Sequence, residues 1–181
     1  DVVAKGGFSN LKGKNVGVVV NHTSVDQHGK HLIQLAYDHS IQIKAVFTPE
    51  HGFTGVAGAG EKVEDGIEQL TGSAIYSLYG NNNKPSSQML QGLDVVVFDM
   101  QDIGVRYYTY ISTLTYILEA AAENEVPIWI LDRINPLGIE VDGPVLEEEF
   151  KSFVGMHPIP IRHGMTIGQL AMMINEESWL S

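Results

Sequence analysis

The chain has 181 residues, enough for one domain with a well-buried core and too few for two of ordinary size. Its formal charge of −11 and pI near 4.9 repel phosphate backbones, so we expect no nucleic-acid partner. No apolar run approaches the roughly 20 residues that cross a bilayer, and the absence of cysteine excludes disulfides and thiolate metal sites.

Strand and helix signals alternate along the chain. Helical spacings of apolar residues at 32–36 and 109–124 separate apolar, β-branched runs. Four buried strands separated by helices predict an α/β fold, a mostly parallel sheet with helices on both faces that is Rossmann-like. The predicted strands are residues 16–20, 43–47, 95–99 and 128–131.

The remaining segments carry weaker signals. Residues 159–164 are typical of a short edge strand, and Thr166 is a candidate N-cap for a closing helix that runs to Asn175. We expect loops at 55–70 and at 81–85.

The segment from Thr48 to Gly55 places a carboxylate beside an imidazole where the second predicted strand ends. Ligands of open α/β sheets bind beyond the carboxyl ends of the strands. Pro49 restricts the loop, and its glycines permit backbone angles that other residues resist. We therefore predict that Glu50 and His51 have a chemical role.

Polar residues follow every predicted strand. In a parallel sheet such tips share one edge, which predicts a single cleft, although each residue alone has a simpler explanation as a helix cap or an ion-pair partner. The tip residues are Asn21 and His22, then Glu50 and His51, then Asp99, Gln101 and Asp102, and finally Arg133 and Asn135.

Residues 99–110 combine acids, an arginine and three tyrosines directly before a predicted helix. Aromatic rings cover the apolar faces of sugars, while amides and carboxylates bind the hydroxyl groups. This composition favours a carbohydrate ligand near Arg106, Tyr107 and Tyr110, with at least one tyrosine serving only to pack.

Other chemistries have weaker support. The glycines at 55, 58 and 60 do not have the spacing of a dinucleotide loop, and no Gly-x-Ser-x-Gly elbow is present. The histidines lack the close spacing of a ligand pair, so we expect no metal and no cofactor.

Seven ordered motifs, which span nearly the whole chain, resemble the N-terminal, Rossmann-like part of the exo-β-N-acetylmuramidase family of bacterial peptidoglycan hydrolases. They include Pro-Glu-His-Gly at 49–52 and Gln-Asp-Ile-Gly-Val-Arg-Tyr-Tyr at 101–108. The motifs occupy residues 20–23, 47–53, 59–61, 76–80, 98–110, 131–138 and 160–166.

The resemblance implies release of terminal N-acetylmuramic acid from the non-reducing end of peptidoglycan fragments, with Glu50 as general acid and His51 orienting it. Asp99, Asp102 and Glu61 are all open as the second acidic group, and the substrate's 2-acetamido group is an alternative nucleophile. Arg106, Arg133 and Arg162 are candidate partners of the lactyl carboxylate, and Arg106 is favoured because it lies within the aromatic segment. The candidate substrate-binding residues are Asn21, His22, Glu61, Gln101, Arg106, Tyr107, Tyr110, Arg133, Asn135 and His163.

The resemblance also implies a C-terminal domain of the same protein, which completes the cleft and is expected to be absent from residues 1–181, and a secreted, periplasmic or cell-envelope location. Two readings compete with the hydrolase. The first is a non-catalytic carbohydrate- or nucleotide-binding domain, and the second is a metal-dependent hydrolase that uses the histidines.

Overall fold

The computed structural model describes residues 2–53, 55, 65–80 and 82–180. Its strands are β1 (Asn15–Val20), β2 (Gln42–Thr48), β3 (Gly66–Ile67), β4 (Ala74–Ser77), β5 (Val95–Asp99), β6 (Ile128–Ile130), β7 (Asp142–Val145) and β8 (Pro160–Arg162). Its α-helices are α1 (Val2–Lys5), α2 (Leu32–Asp38), α3 (Ser87–Leu90), α4 (Tyr110–Glu123) and α5 (Ile167–Glu176). Short 3-10 helices occupy Ser9–Leu11 and Glu148–Phe150.

Six strands form the main sheet in the order β3-β4-β2-β1-β5-β6. The pairs of β1 with β2 and β5, of β2 with β4 and of β5 with β6 are parallel, whereas β3 pairs antiparallel with β4. The chain moves outward from β1 in one direction through β2 and β4, and in the other through β5 and β6. The order therefore reverses between β1 and β5, which is where doubly wound sheets open a crevice for ligands.

Side chains alternate across the sheet and build two cores. Val19, Val96 and Phe98 pack against apolar residues of α4 and α5, while Val18 and Val97 pack against α2 and the Phe8 region. Both faces are buried, so the strands are uniformly apolar. The predicted α/β fold with helices on both faces is confirmed.

The four predicted strands match β1, β2, β5 and β6 closely, while the sequence did not predict two other strands of the main sheet, β3 and β4, or β7 of the second sheet. β4 lies parallel to β2, and β3 falls within residues that were predicted to be loop. Both are short and lie toward the edge of the sheet, and residues 74–77 (Ala-Ile-Tyr-Ser) lack the long β-branched run that marks a central strand. The loop prediction for 66–67 was therefore wrong.

The last third of the chain adds a second, two-stranded sheet of β7 and β8. The predicted strand at 159–164 is thus β8, although it pairs with β7 and not with the main sheet. Thr166 caps α5 as predicted, in a capping box with Gln169. Within the part of the chain that the structure describes, no helix combines the length and apolarity that a bilayer crossing requires.

A buried histidine fastens this last third to α4. His157 is 3% exposed, stacks on Trp179 with ring centroids 5.1 Å apart, and places Nε2 2.7 Å from the Thr115 hydroxyl oxygen. That hydroxyl donates to the Ile111 carbonyl, so Nε2 carries the proton and donates to it. Burial lowers the pKa of His157 to about 4, and the charge of Lys151 acts in the same direction.

His157 should make stability sensitive to mild acid. The unfolded chain takes up the proton near pH 6.5 and the folded chain near pH 4, so stability is full above pH 6.5 and falls as the pH drops toward 4. When the pH is lowered from 7.5 to 5, both the parent and His157→Gln should lose unfolding free energy. We expect the loss in His157→Gln to be smaller by about 1–2 kcal/mol, where the lower figure allows for solvent screening. Urea titrations at both pH values measure this difference. Equal losses in the two proteins would show that His157 contributes nothing to the pH dependence.

Candidate active site

Glu50 lies in the turn that follows β2. Gly52 N–H donates to the Pro49 carbonyl at 3.0 Å, and both His51 and Gly52 have left-handed φ values of 70°. Left-handed backbone is rare for a residue with a side chain, so the His51 conformation is held by the surrounding turn. Glu50 is only 9% exposed, and its Oε2 accepts a hydrogen bond of 3.0 Å from the Thr109 hydroxyl.

The start of α4 supplies the other side of this cluster. The Tyr110 ring is 2% exposed and meets Tyr108 edge to face, with centroids 4.5 Å apart. Burial raises the pKa of Tyr110, and Tyr108 and the Glu50 charge act in the same direction, while the Asn21 amide favours the phenolate. Tyr110 therefore stays a neutral hydroxyl. We call Glu50, Thr109, Tyr108, Tyr110 and Asn21 the acid cluster.

The tip of β1 packs against the Glu50 turn. A Cβ atom placed on Gly55, whose φ is 71°, would fall 2.0 Å from Nδ1 of His22, so only glycine fits beside this exposed imidazole. Asn21 is fully buried, and its Oδ1 accepts from the backbone and the hydroxyl of Thr23 at 2.9 and 2.6 Å. The β1 tip thus links the turn to the crevice at the centre of the sheet.

Asp99 and Arg133 form an ion pair on the α2 face of the sheet. Asp99 is 3% exposed, and its Oδ1 accepts from Arg133 Nε at 2.7 Å. Arg133 Nη2 donates to the Val25 carbonyl at 3.2 Å, and the Ser24 hydroxyl donates to the Asp99 carbonyl. The pair therefore ties the tips of β1, β5 and β6 together.

A cavity of about 920 Å³ opens beside this pair, between the tips of β1, β5 and β6. Its volume lies within the range of small-molecule sites. Among the described residues, the lining includes Asp99, Gln101 and Arg133 but not Glu50. The lining also includes the apolar residues Phe8, Leu32 and Leu35. We call it the crevice pocket.

The Gln101 side chain forms its hydrogen bonds with backbone carbonyls. Its Nε2 donates to the carbonyls of Asp102 and Ile134 at 2.6 and 3.0 Å, and its own N–H donates to the Thr23 hydroxyl at 3.0 Å. These bonds hold the wall of the crevice pocket in place. The Thr23 hydroxyl connects that wall to Asn21 of the acid cluster.

Asp102 and His163 form a second buried pair. Oδ2 of Asp102 accepts from Gly104 N–H at 2.7 Å and lies 3.1 Å from His163 Nε2, a contact too poorly aligned to be a hydrogen bond. Nδ1 of His163 accepts from Met165 N–H at 3.3 Å, which places the ring proton on Nε2, facing the carboxylate. Oδ1 of Asp102 has no hydrogen-bond partner among the described residues.

Asn135 has a structural position beside this pair. Its Nδ2 donates to the Met165 carbonyl at 2.9 Å, and its Oδ1 accepts from Leu137 N–H at 2.9 Å. Gly104 approaches it so closely that an added Cβ would lie 2.3 Å from Oδ1 of Asn135.

Arg106 and Tyr107 lie apart from these clusters. The Arg106 guanidinium donates to the carbonyls of Ile159, at 2.9 Å, and Pro144, so it fastens residues 144–159 to the 99–110 segment. The Tyr107 ring is 55% exposed and available to a ligand. The role of Arg106 as the lactyl-carboxylate ligand stays a prediction.

The structure therefore groups the predicted residues into an acid cluster, a crevice pocket and a buried Asp102–His163 pair. Glu61 lies outside the described residues. Thr109 was missed because its hydroxyl and Glu50 are 59 residues apart, and no local pattern marks such a contact. No group of three or more His, Asp or Glu residues in the described ranges has the geometry of a metal site.

Comparison with known proteins gives these clusters a context. The sequence model of a family described as "Exo-beta-N-acetylmuramidase NamZ, N-terminal" matches residues 16–181. The chain belongs to this family. A curated NamZ relative, the peptidoglycan beta-N-acetylmuramidase of Bacillus subtilis (strain 168), is 47% identical over 169 residues, which are 92% of this chain and 41% of the relative.

Two solved structures have the same fold as this NamZ family member. Both are DUF1343 family proteins of Bacteroides fragilis NCTC 9343, each 41% identical, with TM-scores of 0.90 and 0.84. The matches cover 99% and 98% of this chain and 46% of each solved chain. The chain thus spans less than half the length of the relatives that it matches.

Proposed function

We propose that this chain carries the acid catalyst of an exo-β-N-acetylmuramidase, which releases terminal N-acetylmuramic acid from the non-reducing end of peptidoglycan fragments. The observation that supports this most is the placement of Glu50, 9% exposed at the carboxyl edge of the sheet and held by the Thr109 hydroxyl. The activity named for the B. subtilis relative agrees with it.

Glu50 has the chemistry that this reaction needs. A departing sugar hydroxyl requires a proton, and a carboxyl group in a partly desolvated cleft delivers one without a cofactor. The half-buried Tyr108 ring beside it provides aromatic surface, a group that recognises a saccharide. Tyr110 is buried behind Tyr108 and serves to pack.

The other acidic candidates have structural partners. Asp99 is neutralised by Arg133, and Asp102 binds Gly104 N–H and faces His163. Both carboxylates are only 3% exposed and so offer little surface to a substrate. This burial favours the 2-acetamido group of the substrate, or a residue outside the described ranges, as the nucleophile.

The rest of the glycan needs room next to the acid. The crevice pocket lies on the α2 face of the sheet and its described lining omits Glu50, so we assign the glycan to a cleft over the Glu50 turn, beside Tyr108. The extra length of the relatives fits a second domain of the same protein that closes this cleft. We also propose a secreted, periplasmic or cell-envelope location, because the proposed substrate is part of the cell wall.

A pair of chromogenic glycosides tests the proposal. We expect turnover of the β-glycoside of N-acetylmuramic acid and at least about tenfold slower turnover of the N-acetylglucosamine glycoside, a difference of about 1.4 kcal/mol. Defined glycans with muramic acid at the non-reducing end should release the free sugar. Binding of these glycans without any turnover would support a carbohydrate-binding domain and contradict the proposal.

A further inference from the structure

Thr109 occupies the N-cap position of α4, yet its hydroxyl does not cap the helix. Threonine at this position ordinarily accepts a hydrogen bond from an N–H of the first turn. Here the backbone is already helical, with φ −63° and ψ −10°, and no side-chain cap bond forms. The hydroxyl instead donates to Oε2 of Glu50 at 3.0 Å.

The Thr109 hydroxyl that donates this bond belongs to a well-ordered part of the chain, the start of α4. The Thr109 carbonyl accepts from the N–H of Thr113 at 3.0 Å and from its hydroxyl at 3.3 Å. The adjoining Tyr110 ring is buried against Tyr108, and the branched Cβ of Thr109 restricts its side-chain rotamer. Glu50, by contrast, lies in a turn with two left-handed residues.

We infer that Thr109 is a positioning residue for Glu50, fixing the orientation in which its carboxyl group delivers the proton. This inference rests on the proposed function, because it assigns Thr109 a part in the same proton transfer. Proton transfer needs the donor within about 3 Å of the glycosidic oxygen, and small misplacements are costly to the rate. Loss of this hydrogen bond would widen the range of orientations that the carboxyl group samples.

Thr109→Val removes the hydroxyl while keeping the side-chain shape, and Thr109→Ser keeps the hydroxyl. On a glycan with a natural leaving group, we expect Thr109→Val to lower kcat about 30-fold with little change in KM. Thr109→Ser should retain most of the rate. On an aryl glycoside with a nitrophenolate leaving group, which departs without protonation, Thr109→Val should differ from the parent less than threefold, about 0.6 kcal/mol.

Thr115→Val is the matched control. It removes a buried hydroxyl from the same helix that bonds the Ile111 carbonyl and His157, and it touches neither Thr109 nor Glu50. Equal losses in Thr109→Val and Thr115→Val, equal losses on both leaving groups, or failure of Thr109→Ser to restore the rate would overturn the inference. If Thr109→Val does not fold, Thr109→Ala takes its place in the same comparison.

Glu50→Gln separates this inference from the proposed function. If Glu50→Gln is inactive on the natural glycan while Thr109→Val is fully active, the positioning role is wrong and the proposed function stands. If Glu50→Gln retains the parent rate, both fail.

Discussion

Glu50→Gln is expected to reduce kcat for release of N-acetylmuramic acid from a natural glycan by about 10³-fold. The amide has the size of the carboxyl group and still accepts the hydrogen bond from Thr109, but it supplies no acidic proton. The melting temperature should therefore change little. Quantifying the released sugar at several substrate concentrations separates kcat from KM.

The control for this variant is Glu176→Gln, which makes the same change at an exposed position on α5. It should leave both kcat and the melting temperature unchanged. A nitrophenyl glycoside should rescue much of the Glu50→Gln activity, because its leaving group does not need the proton. If Glu50→Gln released the sugar from natural glycan at the parent rate, Glu50 would not be the general acid.

Asp99→Asn is expected to have the largest effect on stability among single changes at the crevice. It leaves the Arg133 guanidinium, which is 25% exposed, without its counter-charge beside a buried strand end. Loss of one partner from such a pair costs about 2–3 kcal/mol, or roughly 8 °C in melting temperature for a chain of this size. Calorimetry or urea denaturation measures the loss.

A double-mutant cycle with Arg133→Gln tests whether the ion pair is the cause. We expect the double variant to be more stable than the sum of the two single losses predicts, by about 1.5 kcal/mol. At a temperature where Asp99→Asn is fully folded, its kcat should stay within about tenfold of the parent. Unchanged stability together with lost activity would instead make Asp99 a catalytic residue.

The sheet was predictable because its central strands are buried on both faces. Such strands are continuous apolar runs, and residues 16–20 and 95–99 show this clearly. β4 was missed for the opposite reason, since its residues are only partly buried and it needs little β-branched sequence to pair with β2. Whether a segment near the edge of a sheet forms a strand is decided by its pairing partner and not by its local sequence.

The candidate site residues lie at one edge of the sheet, as predicted, but they are divided between its two faces and do not form the single cleft that the sequence predicted. All the tips share one edge, as the parallel topology requires, yet Asp99 continues the face of Val95 and Val97 toward α2. Glu50 is held instead by the start of α4, on the other face. Which face a residue takes just after a strand ends depends on the turn that follows, and the sequence pattern does not encode this.

The close approach of Gly104 to Asn135 restricts how the protein can change. A methyl group at 104 meets both a positive φ of 87° and the Asn135 amide, so the amide would have to leave its bonds to residues 137 and 165. A substitution at either position therefore requires a change at the other. Directed evolution of this protein should find new specificities in the exposed Tyr107 region, while 104 and 135 resist substitution together.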